Sequence, residues 1–137
     1  MKLKLLVIAL TITSLNCFSQ SETANTKEWI YIGSVKGDKL YVKNKYVAKS
    51  ASKIKIWSRL LENVVYIKGE KYVNTTTNIL YLVDCKENKI KVLYSIIYDS
   101  QRNIISESDV DDFNEFQDVI PGSMGEGVVE KTCELFQ

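Results

Sequence analysis

The arrangement of apolar and polar residues after Trp29 follows a period of two. Lys53-Ile54-Lys55-Ile56-Trp57 alternates strictly, so Ile54 and Ile56 fall on one face of a strand and Lys53, Lys55 and Trp57 on the other. WIYIGSV (29–35) and LYV (40–42) flank KGDK, a Gly-Asp turn signal, and read as a hairpin. VVYIKGEKYV (64–73) turns at Gly69. TTTNILYLVDC (75–85) and KIKVLYSIIYD (89–99) are joined by Lys86-Glu87-Asn88 as a second hairpin, and SQRN (100–103) leads to a last short strand, IIS (104–106). Strands in this sequential order predict an antiparallel meander of about six strands in an α+β fold.

Beyond Pro121-Gly122 the period changes. Gly125, Val128, Val129, Thr132, Cys133 and Phe136 share one side of a helix. Ser123 and Glu126 have the S-x-x-E spacing of a capping box, in which the hydroxyl accepts from the third helical amide and the carboxylate reaches back to the serine amide. VIPGSMGEGVVEKTC (119–133) also has the look of a reactive loop. A nucleophile elbow needs glycine where Pro121 stands, and a phosphate loop needs Gly-Lys-Ser/Thr, which is absent. Ser123 is therefore read as a helix cap, and the C-terminal helix is predicted to pack on the sheet.

The N-terminus belongs to a different class of segment. Lys2 and Lys4, an apolar run from Leu5 to about Ile12, and Ser19 before Gln20 form the pattern of a secretory signal peptide over residues 1–19. The run is too short for a mature membrane anchor, so no transmembrane segment is expected in the mature chain. Cys17 invites comparison with a lipoprotein signal, but Ser14-Leu15-Asn16 places its leucine one position out of step. Cleavage after Ser19 is the preferred reading, with a lipid anchor at Cys17 as the alternative. Residues 20–28 are then a flexible lead and 29–137 the domain, exported to the periplasm, the outer membrane or the exterior. Cys85 and Cys133 remain, and two cysteines in an exported chain pair as a rule. Closing a loop of about 49 residues stabilises a fold by about 4 kcal/mol in the chain-entropy view.

Composition narrows the chemistry. A chain of 137 residues supports one domain, and it contains no histidine. That removes the commonest general base, the Ser-His and Cys-His pairs and the commonest zinc ligand, and no catalytic, cofactor or metal residues are assigned. The acidic run ESDVDDFNE (107–115) lacks the register and glycine of a calcium loop and reads as a solvated loop, with no carboxylate pair singled out by spacing. Asn74-Thr75-Thr76 reads as a polar turn, and Trp29 and Trp57 as core or half-buried sheet residues.

The formal net charge is +1, and −1 once Lys2 and Lys4 are removed, yet it is unevenly spread. Residues 36–71 hold ten Lys or Arg against three acids, and residues 99–118 hold seven acids against Arg102 alone. Lys43, Lys45, Lys53, Lys55 and Trp57 are the candidate partner-binding residues, suited to an acidic extracellular-matrix or envelope protein or to a polyanion. Export argues against nucleic acid. The alternative is an envelope structural protein without an adhesive role, whose basic segment meets the acidic segment of a second copy in a homodimer.

Several of these features, taken in order, resemble the bacterial surface-adhesin protein E family. They are Trp29 leading the first strand, Tyr41-Val42 before a basic stretch, KIKIW ending on Trp57, YLVDC (81–85), Tyr98-Asp99, Phe116, IPGSMGE (120–126) and the late Cys133. Phe116 departs from the pattern, which leads one to expect tryptophan there, and the weak lipid signal departs as well. The resemblance implies an antiparallel sheet packed by a C-terminal helix that Cys85–Cys133 ties to it. It also implies an exported, membrane-associated, non-catalytic protein that adheres to host matrix or plasma proteins such as laminin or vitronectin.

Overall fold

Tight turns set the register of the sheet. In the computed structural model, which describes residues 28–109 and 115–137, Lys36 (φ 52°) and Gly37 (φ 90°) form the two-residue turn between β1 (Trp29–Val35) and β2 (Asp38–Lys43). Two successive positive φ values give the backbone twist that a two-residue hairpin needs. The turn residues are therefore Lys36-Gly37 and not Gly-Asp. Asp38 opens β2, where its Oδ1 accepts from the Asn63 amide at 2.9 Å. Lys68 (φ 50°) and Gly69 (φ 83°) repeat the same device between β4 (Lys53–Ile67) and β5 (Glu70–Asp84).

β6 (Lys89–Tyr98) and β7 (Ile104–Asp109) complete an antiparallel path β1-β2-β4-β5-β6-β7. Two short strands were not foreseen. β3 (Ala48–Ser50) pairs with the start of β4, and β8 (Gln117–Asp118) pairs with the start of β6. Two or three residues are too few to show a period, so the neighbouring long strands define them. The turn expected at Asn74-Thr75-Thr76 is also absent, because β4 and β5 keep one register from Lys53↔Asp84 to Ile67↔Glu70, with Asn63 and Asn74 alone skipped between Glu62↔Thr75 and Val64↔Val73. Asn74, read as part of a turn, sits inside β5 at φ 53°, a conformation that asparagine tolerates, and Thr75 beyond it is buried. The last strand likewise runs past Ser106 to Asp109, since its pairing with β6 continues to Tyr94↔Asp109. The predicted signal peptide, Cys17, most of the lead and the middle of the acidic run lie outside the described residues.

The helix α1 (Met124–Phe136) covers one face of the sheet. Val128 and Val129 pack there with Leu40, Val42, Ile56 and Val83, flanked by Ile30, Ile32, Tyr81 and Ile90. Ser123 caps the helix by accepting from the Glu126 amide at 3.3 Å. Glu126 does not return to the Ser123 amide as the capping box predicts. That amide already donates to the Ile120 carbonyl at 3.1 Å, and the Glu126 carboxylate takes the Gly122 amide at 2.6 Å instead. Gly122, at φ 77°, has the backbone freedom to present it. At the other end of the helix, Lys49 Nζ donates to the Phe136 carbonyl at 2.5 Å, and Tyr46 meets the Phe136 ring edge-on. Cys85, one residue beyond β5, is bonded to Cys133 with a Cα–Cα separation of 5.7 Å.

Asp84, the last residue of β5, anchors that corner. Its Oδ1 accepts from Ser52 Oγ at 2.9 Å and from the amides of Lys86 and Glu87 at 3.0 and 3.2 Å. Burial alone pushes its carboxyl up, but the Ser52 bond, the two amides and the nearby Lys53 charge together hold it below the usual value. A depressed folded pKa contributes stability above the unfolded value of about 4, lost as the pH falls through the folded value. Asp84→Asn is therefore expected to lower the urea midpoint at pH 7, with the gap to wild type closing as the pH drops below about 4. A gap of constant size from pH 3 to pH 7 would show that the charge is not its source.

Candidate binding face

Strand parity places the remaining half of each long strand on the face away from α1. Ile54, Ile56 and Ser58 are buried beneath the helix side, so Lys53, Lys55, Trp57 and Arg59 point the other way. Across the strands, Tyr31, Tyr41, Arg59, Asn78, Ile96 and Glu107 form one cross-strand row. A neighbouring row runs from Trp57 through Leu80 and Tyr94 to Asp109. This open face is cationic and aromatic over β1, β2 and β4 and acidic along its β7 edge.

The centre of the face is built on Trp29. Its ring is approached by Arg59, with Cζ 4.1 Å from the centroid, and by Lys43, with Nζ at 4.7 Å. A cation over an indole face gains about 0.5–1 kcal/mol when exposed and more when dry. Lys43 also pairs with Glu28 at 3.2 Å, and Arg59 Nε donates to Asn78 Oδ1 at 3.0 Å. Burial pulls the Arg59 pKa down, with Glu28 opposing that effect and Arg102 adding to it. Trp57 and Tyr94 meet edge-to-face with centroids 6.0 Å apart. The Tyr94 hydroxyl donates to Glu107, and that bond pushes its pKa up to about 12.

Around these side chains lies a depression of about 350 Å³ lined by Trp29, Lys43, Trp57, Arg59, Tyr94 and Tyr98 among others. A second depression of about 570 Å³ adjoins it through Arg59, Asn78 and Tyr98. Of the residues singled out in the sequence, Lys43, Lys53, Lys55 and Trp57 lie on this face. Lys45 instead lies exposed in the 44–47 connection between β2 and β3. Lys53 Nζ is 5.7 Å from the Phe116 ring centroid, and Lys89 pairs with Asp118 at 3.8 Å. Within one chain, the 99–118 stretch thus meets the basic strand β4 through Phe116 and meets β6 through Asp118.

Sequence reasoning did not single out Arg59, Asn78, Tyr94 or Tyr98 as site residues. Arg59 was within reach, because continuing the alternation two residues past Trp57 lands on it. The other three needed the pairing of β5 with β4 and β6. Among the described residues, no helix is long and apolar enough to cross a membrane, and no three His, Cys, Asp or Glu side chains are grouped to hold a metal.

An open antiparallel sheet, one face closed by a disulfide-tied helix and the other polar and aromatic, suits a binding module. The family model for surface-adhesin protein E matches residues 29–134, and the chain belongs to that family. Membership suggests a surface adhesin, and with it an exported or surface protein in a non-enzymatic role. No curated protein and no solved structure matches the chain.

Proposed function

We propose that this protein is an exported, adhesin-like binding module, active at the cell envelope or outside it, that docks an acidic partner on its open sheet face. The observation that carries this reading is the convergence of Lys43, Lys53, Lys55, Arg59 and both tryptophans on the face that α1 leaves uncovered. Cations provide steering and charge complementarity, while Trp and Arg are the side chains that anchor interfaces. The self-association alternative draws on the same charge asymmetry, but one acid of the 99–118 segment, Asp118, already pairs within the chain, with Lys89 outside the basic segment.

The test uses two polymeric probes, heparin and polyglutamate, each presented on a surface. Wild type is expected to bind at least one of them, with affinity falling as salt rises toward physiological strength. Neutralising Lys43, Lys45, Lys53 and Lys55 together to glutamine is expected to weaken binding by roughly tenfold or more. Unchanged binding in that variant removes the proposal, and a salt-dependent dimer without probe binding favours the self-associating alternative.

A further inference from the structure

We propose that the notch between Arg59 and Arg102 is a subsite for an acidic sugar, holding the carboxylate or sulfate of a saccharide unit. The proposal rests on the open face being the docking surface and names the ligand chemistry of one part of it.

Arg59 is a half-buried cation whose favourable charge, Glu28, is ion-paired with Lys43. Its Nε is engaged by Asn78 at 3.0 Å and its plane lies by the Trp29 ring. Among the described residues, neither its terminal nitrogens nor the Arg102 guanidinium has a hydrogen-bond or ion-pair partner. Cations withdrawn from water are ordinarily matched by a carboxylate, because unpaired burial is costly. Here a like charge, Arg102, lines the same notch, and its influence on Arg59 is repulsive. An oxyanion between the two guanidiniums would relieve that repulsion through charge-assisted bonds in the fork geometry that arginine provides.

Among the described residues, the one carboxylate lining the notch is committed elsewhere. Asp99 Oδ1 accepts from the amides of Gln101 and Asn103 at 2.8 and 2.9 Å, and Oδ2 accepts from Asn103 Nδ2 at 3.1 Å. The remaining lining is what a sugar requires. Asn74, Thr76 and Ser100 offer amide and hydroxyl partners for ring hydroxyls. Tyr98 joins this notch to the hollow that holds Trp57 and Tyr94, whose rings suit the apolar face of a pyranose. At about 570 Å³ with an adjoining 350 Å³, the two depressions have the dimensions of a small-ligand site. An acidic peptide would use the arginines but not this combination of rings and hydroxyl partners.

Four soluble probes test the subsite by calorimetry: a hyaluronan tetrasaccharide, a heparin tetrasaccharide, neutral maltotetraose and tetraglutamate. The expected result is binding of one or both acidic sugars, with maltotetraose and tetraglutamate at least tenfold weaker. Which acidic sugar binds tells whether carboxylate or sulfate is preferred. Arg102→Gln, on an exposed turn, and Arg59→Gln are each expected to weaken the acidic sugar roughly 10- to 100-fold, the range for a hydrogen bond to a charged group. Because Arg59→Gln also removes a sheet contact, Arg102→Gln is the variant that carries the test if the former does not fold.

Equal binding of tetraglutamate, no binding of either acidic sugar, or indifference to both arginines overturns the subsite. If the four-lysine variant loses heparin or polyglutamate while tetrasaccharides ignore the arginines, the docking face stands and the subsite falls. If wild type binds neither polymer, the docking face itself falls.

Discussion

Replacing Cys85 and Cys133 together by alanine is expected to lower the unfolding free energy by about 4 kcal/mol, the loop-closure contribution for a separation of 48 residues. The helix is the last element of the chain and reaches the sheet through only a few attachments. Its N-terminus is fixed by the Ser123 cap, its C-terminus by Lys49 and Tyr46, and its middle by Val128, Val129 and the disulfide. Without the cross-link, the surface contacts at the C-terminal end are each worth little, so the helix is expected to loosen from that end. Guanidinium unfolding of the double variant should show the loss directly. Hydrogen exchange should show early opening of residues 130–136 ahead of β4 and β5. A loss below about 1 kcal/mol would mean that the helix–sheet packing alone holds the fold.

The second large effect is expected at Ile56. This residue is 0% exposed, at the point where β4 passes beneath the helix, and belongs to the cluster of Leu40, Val42, Val83, Val128 and Val129. Ile56→Ala deletes buried carbons from strand pairs that cannot move toward one another, so the cavity persists, and the expected cost is about 2–5 kcal/mol. Tyr66 provides the contrast. It lies near the tip of the β4–β5 ribbon at 67% exposure, and Tyr66→Ala is expected to change stability by no more than about 0.5 kcal/mol. Urea unfolding of both variants checks the pair. Comparable losses at the two positions would contradict the placement of the core under α1.

The covered face was legible because its signal is local. The alternation in residues 53–57 assigns Ile54 and Ile56 to one side, the one-sided run of residues 125–136 supplies the element that covers them, and Cys85 and Cys133 link the two. The open face was legible only in part, since it is assembled from distant strands. Lys43, Lys53, Lys55 and Trp57 show themselves as a basic and aromatic pattern within one segment. Trp29 reaches Arg59 only because β2 lies between their strands, and Asn78 reaches Arg59 only through the β4–β5 register. Arg102 enters through a turn held by Asp99, a tertiary placement that no period in the chain encodes. The Glu126 bond to Gly122 was hidden for another reason: the competing acceptor for the Ser123 amide is Ile120, and that choice depends on the path of the chain before the helix.

Both tryptophans of the chain lie on the open face, so their emission reports on that face alone. Titrating wild type at low salt with heparin or polyglutamate while recording tryptophan fluorescence is therefore the most direct measurement. Docking on the open face predicts a saturable change in emission that disappears at high salt and shifts to higher probe concentration in the four-lysine variant. A probe that binds by sedimentation yet leaves the emission unchanged, or whose affinity ignores the lysines, would contradict it.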